Sequence, residues 1–135
     1  MIITEESVNY SQLDELTTRL FKVKGKINLD KYDLSYVLAR NDDSKLITFR
    51  REDEESKEFM TQLTSYMASR PDVKKLKRIM LYFGYSPEHP LRMEDLGIFN
   101  EFLNQFPEEL DILWGIHENP DEIGLSAVAV YSIEQ

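Results

Sequence analysis

At 135 residues the chain is expected to form one domain, long enough to bury a core without disulfides or structural metal. Its net charge of −9 argues against general binding to nucleic-acid phosphates. With no cysteine there is no thiol chemistry, and His89 and His117 lie too far apart in sequence to suggest a zinc site, so no metal and no cofactor is expected.

The first residues, Met1-Ile2-Ile3-Thr4-Glu5-Glu6, lack the basic region and apolar stretch of a secretory signal. No run approaches the roughly 18 to 20 apolar residues of a membrane span. A cytoplasmic location without membrane contact is the expectation. Residues 10 to 21 read as a helix, with Leu13, Leu16, Leu20 and Phe21 on one face. Gly25 stops it. Residues 30 to 39 read as a short helix capped by Asp30, with Leu34, Val37 and Leu38 inward.

Asn41-Asp42-Asp43-Ser44 is a turn by composition, and Lys45 to Arg50 a strand. Glu52-Asp53-Glu54-Glu55 suits a helix N-terminus. The helix that follows, 53 to 68, carries the apolar stripe Phe59, Met60, Leu63, Tyr66 and Met67. Lys74-Lys75-Leu76-Lys77-Arg78 is either a solvated lead-in to a strand or a patch for a phosphate or an acidic partner. Leu76 to Tyr85 is apolar on both faces and reads as a central strand. A third amphipathic helix is expected over 92 to 106, using Leu96, Phe99, Phe102, Leu103 and Phe106. Leu110 to Ile116 and Leu125 to Ile133 read as strands, with Trp114 in the core.

The order is helix, loop, short helix, then β-α-β-α-β-β. This predicts an α/β domain with a four-stranded mixed sheet, two helices on one face and the N-terminal helix–loop segment across the other. The last two strands, joined by about eight residues, are expected to form an antiparallel hairpin.

The densest motif is Gly25-Lys26-Ile27-Asn28-Leu29-Asp30-Lys31-Tyr32-Asp33. The pattern G-x-I-N-x-D-x-x-D resembles the synergy loop of FtsZ, the bacterial tubulin homologue. The element order and the ending Leu113-Trp114-Gly115-Ile116, then Leu125-Ser126-Ala127-Val128-Ala129-Val130, also resemble the C-terminal domain of that family. The resemblance runs from about Ser11 to Ile133. It divides the chain into an N-terminal helix segment, 1–24, and an FtsZ C-terminal-like domain, 25–135, within one domain overall.

In the family this loop reaches into the nucleotide pocket of the next subunit and helps position the attacking water. The resemblance therefore makes Asp30, Asp33 and Asn28 candidates to act in trans on a partner's GTP, a sensible role since phosphoryl transfer is mostly positioning and charge stabilisation. The structural alternative is local: Asn28 tolerates a turn, Asp30 caps the helix and Asp33 sits in its first turn. No tubulin-type phosphate loop and no Walker motif occurs among the five glycines, so the chain is not expected to bind or hydrolyse GTP alone. It is expected to stand without a preceding GTPase domain and without the family's C-terminal tail peptide.

The resulting expectation is a non-enzymatic interaction domain of the cell-division type. Its partner is a protein, either a tubulin- or FtsZ-type GTPase or a second copy in a homodimer. Gly25, Asn28, Asp30 and Asp33 are the candidate partner-binding loop. Leu13, Leu16 and Leu20 are a candidate apolar contact stripe that lacks cover. The alternative is a small-molecule-binding or oligomeric enzyme domain with an intersubunit anion site, for which Arg50, Arg51, Arg78 and Arg92 are available.

Overall fold

The computed structural model describes residues 1–21, 29–38, 43–51, 56–71, 75–88, 94, 97, 98, 100, 101, 104, 110–118 and 125–133. Five strands form one mixed sheet: β1 (Ile2–Val8), β2 (Asp43–Arg51), β3 (Leu76–Tyr85), β4 (Asp111–Glu118) and β5 (Leu125–Ile133). Their order across the sheet is β1-β2-β5-β3-β4. Among the described residues three α-helices are delimited: α1 (Leu13–Leu20), α2 (Lys31–Val37) and α3 (Ser56–Ala68). A 3₁₀ turn, Tyr10–Gln12, leads into α1 behind a capping box made by Asn9 and Gln12.

β3 and β4 pair in parallel, while β5 pairs antiparallel with both β2 and β3. This corrects the expected hairpin: β4 and β5 are not neighbours. The physical reason lies in their side chains. In β5, Ala127, Ala129 and Tyr131 bury against one face and Val130 against the other, so the strand needs neighbours and cover on every side. β4 exposes Asp111 and Trp114 and suits an outer position. Trp114 is 41% exposed, not core as expected. It is the single tryptophan, so the native protein should fluoresce at long wavelength and be quenched readily by acrylamide. A blue-shifted, quencher-resistant emission would contradict this exposure.

The second correction is the sheet size. β1 adds a fifth strand, antiparallel to β2 along its whole length. Most of its side chains are exposed, but Glu5 reaches the C-terminal end of α3. The Arg70 guanidinium donates from both terminal nitrogens to the Glu5 carboxylate, and Tyr66 Oη donates to Glu5 Oε2 at 3.0 Å. Burial opposes the Arg70 charge, yet the neighbouring Tyr131 and Glu5 oxygens outweigh it and raise the pKa.

Two apolar layers sandwich the sheet. On one face α3 contributes Phe59, Met60, Leu63 and Met67 against Ile47, Phe49, Ile79, Leu81, Phe83 and Ala129. On the other, Leu13 and Leu16 of α1 and Leu34, Val37 and Leu38 at α2 cover Leu46, Met80, Tyr82 and Val130. The helix expected over 92–106 falls largely outside the described residues. Within it residues 94, 97, 98, 100 and 101 are helical, and Asn104 N donates to Asn100 O at 3.0 Å.

Candidate functional site

The candidate loop lies in sequence between α1 and the first turn of α2. Gly25 and Asn28 lie outside the described residues; Leu29 onward is described, and Leu29 is buried. Asp30 is the N-cap of α2 in extended backbone, and its Oδ1 accepts from Tyr32 N at 2.9 Å and Asp33 N at 3.2 Å. Asp33 Oδ2 returns the bond, accepting from Asp30 N at 2.9 Å. This reciprocal pair satisfies the orphan donors of the first turn.

The local role expected for both aspartates is therefore present. It engages one oxygen of each carboxylate. Asp30 Oδ2 and Asp33 Oδ1 make no hydrogen bond among the described residues, and Asp30 is exposed. Lys31 extends back to Asp14 of α1, Nζ–Oδ1 2.5 Å, a solvent-exposed link between the two helices. The hydrogen bond to that carboxylate raises the Lys31 pKa. Asp30→Ala should cost about 1 kcal/mol through loss of the cap. Urea denaturation of the variant checks this, and an unchanged midpoint would remove the cap from the account.

The stripe expected to lack cover is closed. Leu16 is 0% exposed, Leu13 is buried, and Leu20 and Phe21 pack half-buried onto the same layer. Leu13 and Leu16 are core side chains of this domain, not a free contact surface. The cover is a shared layer that the sequence did not reveal: α1 packs on α2, α2 packs on β3 and β5, and Leu34, Val37, Met80, Tyr82 and Val130 belong to the same buried cluster as Leu13 and Leu16.

Of the four arginines, the two whose side chains are described do not converge. Arg92 and the Arg51 side chain lie outside the described residues. Arg50 and Arg78 sit on the α1–α2 face of the sheet but at opposite ends. Arg50 is in register with Ser126, which pairs with Gly84; Arg78 is six residues away along β3 from Gly84, about 20 Å. Arg78 Nη1 donates to Tyr36 O at 2.8 Å and its guanidinium stacks 4.0 Å from the Tyr36 ring. Tyr36 Oη donates to Asp111, and that bond raises the tyrosine pKa. Arg78 thus ties α2 to the sheet.

At the other end lies a polar row that the sequence reading missed. The register aligns Ile2, Arg50, Ser126, Gly84 and His117 across all five strands. Gly84 is required there by close approach. A Cβ at that position would meet Ser126 Oγ at 2.7 Å and His117 Cε1 at 2.8 Å. A glycine inside a strong apolar strand is the signal that could have found it. His117 is half-buried and stands edge-on to Tyr82, with centroids 4.7 Å apart. Phe21, the last described residue before the candidate loop, packs on the same Tyr82 ring at 5.6 Å. Burial raises the Tyr82 pKa.

Among the described residues no group of three or more His, Cys, Asp and Glu is placed to hold a metal ion. No helix among them is long and apolar enough to cross a membrane. No family model matches the sequence, and neither does any curated protein. Solved structures do match. An FtsZ dimer from M. jannaschii aligns with TM-score 0.62 and 15% identity over 90% of this chain and 36% of that chain. CetZ from Methanosaeta thermophila aligns with TM-score 0.60 and 15% identity over 93% of this chain and 36% of that one. GDP-bound CetZ1 from Haloferax volcanii gives TM-score 0.53 and 14% identity over 79% and 34%. The chain has the fold of part of a tubulin-family protein and spans about a third of the length of these neighbours.

Proposed function

We propose that this chain is a tubulin/FtsZ-type interaction domain that docks on a tubulin- or FtsZ-type GTPase subunit through the corner between α1 and α2. The observation that supports this most is the α2 N-terminus. Its aspartates cap the helix with one oxygen each and leave Asp30 Oδ2 and Asp33 Oδ1 without a partner among the described residues. Such a helix start can satisfy its own backbone donors and still present carboxylate oxygens to a docked subunit. Fold likeness to FtsZ and CetZ chains supports the class of partner.

In this reading Asp30 and Asp33 orient a water against the partner's nucleotide. The carboxylates contribute position and charge, which is what phosphoryl transfer requires. The experiment is a GTP hydrolysis assay of an FtsZ-type protein from the same organism, with and without this chain. Stimulation that disappears in Asp33→Ala, with binding retained, is the expected result. An unchanged hydrolysis rate together with no binding would defeat the proposal. Binding with identical behaviour of wild type and Asp33→Ala would leave a docking domain without a catalytic contribution.

A further inference from the structure

We propose that the outer edge of β4 is a self-pairing site, at which a second copy of this chain adds its own β4 in antiparallel register about Trp114. The dimer stands independently of the docking role proposed above.

The two outer strands of the sheet are built differently. β1 carries Glu5 and Glu6 at its centre and exposes Thr4, Glu6 and Ser7. Charges at an edge discourage a further strand. β4 lacks this protection. From Ile112 to His117 it reads Ile-Leu-Trp-Gly-Ile-His, with no Lys, Arg, Asp, Glu or Pro, in a chain that is 30% charged. Among the described residues no strand pairs with its outer side. An uncharged, apolar edge strand is a template for another strand.

Exposure follows the same line. Ile112 and Ile116 pack half-buried on the α3 layer, and Leu113 packs half-buried on the α1–α2 layer. Alternation along β4 places Trp114 on the α3 face beside the two isoleucines. It is 41% exposed. All four side chains keep apolar surface in contact with water.

The symmetry of the strand identifies the occupant. Ile112, Trp114 and Ile116 read the same in both directions about Trp114. An antiparallel second β4 centred there sets Ile112 opposite Ile116 of the second copy, and Trp114 opposite Trp114. Opposed aromatic and β-branched side chains are the pairs that stabilise antiparallel strands. On the other face Leu113 falls opposite Gly115, which has no side chain to obstruct it. Asp111 falls opposite His117, so no like charges meet across the seam. A patch that complements itself in this way suits a two-fold dimer, and two five-stranded sheets become one continuous sheet. The net charge of −9 on each copy opposes association, so salt should tighten the dimer by screening that repulsion.

The test is sedimentation velocity of the whole chain over a concentration series, with Trp114 emission read on the same samples. A monomer–dimer equilibrium is expected, tighter at high salt than at low salt. The dilute monomer emits at long wavelength; on dimerisation the emission shifts to the blue and acrylamide quenching falls. Trp114→Lys should raise the dimer dissociation constant by roughly tenfold or more, since it sets two ammonium groups against each other. Thr4→Lys on β1 makes the same change in net charge and should leave the dimer unchanged. If Trp114→Lys fails to fold, amide hydrogen exchange of the wild type carries the test, with protection of residues 112–116 rising with protein concentration. The proposal is overturned by a monomer at every concentration, by a dimer equally tight in wild type and Trp114→Lys, by a dimer lost in Thr4→Lys instead, or by exchange at 112–116 that does not depend on concentration.

Discussion

Leu16→Glu is expected to leave most of the protein unfolded at room temperature. The wild-type side chain is wholly buried within the layer built by Leu34, Val37, Met80, Tyr82 and Val130. Replacing it removes about 1.5–3 kcal/mol of apolar burial. It also places a carboxylate in an apolar layer, at a further cost of several kcal/mol. A domain of this size has about 5–15 kcal/mol in total. Leu20→Glu should cost much less, because Leu20 is half-buried and its new carboxylate can reach water. Circular dichroism during urea denaturation separates the two variants. A Leu16→Glu protein that keeps its fold and loses only self-association would mean that α1 is an interface after all.

The second large effect is expected at Glu5 and Arg70, which join the outermost strand to the end of α3. Their side chains are 27% and 17% exposed, so water screens the pair only partly. A bidentate arginine–carboxylate contact of this kind contributes about 1.5–3 kcal/mol. Arg70→Ala removes that contact and the guanidinium lying 5.9 Å from the Tyr66 ring centroid. Glu5→Ala leaves the guanidinium without its carboxylate and takes the acceptor from Tyr66 Oη. Each single change should destabilise by about 2 kcal/mol, and the double change by clearly less than the sum, as for residues in one network. Additive effects would show that the ion pair contributes nothing and that β1 is held by its backbone ladder alone.

β1 also shows why part of the fold was hidden in the sequence. Only Ile3 and Val8 turn substantially inward, and Glu5 and Glu6 occupy the middle of the strand. An edge strand of this composition has no apolar alternation to read. Charged edges of this kind discourage pairing with other chains. The helices were legible because their stripes and stops are local. Leu34, Val37 and Leu38 follow the spacing of one face, and the Asp30–Asp33 box is a short-range pattern.

Strand order was less legible, because it is decided by which strand most needs cover. β5 takes the place between β2 and β3 through side chains on both of its faces. Sequence proximity to β4 pointed the other way. The cover of Leu13 and Leu16 was hidden for a related reason, since it is a layer shared with Met80 and Val130, far along the chain. The row of Arg50, Ser126 and His117 belongs to this class too. Its members are scattered over three strands, and only the pairing register assembles them. Gly84 was the one local sign.

Docking on a tubulin-family subunit is tested most directly by co-sedimentation. An FtsZ-type protein from the same organism is polymerised with GTP, mixed with this chain and pelleted. The chain should enter the pellet in proportion to polymer, and Asp30→Ala with Asp33→Ala should pellet equally while losing any effect on hydrolysis. A chain that stays wholly in the supernatant at every polymer concentration would contradict the account.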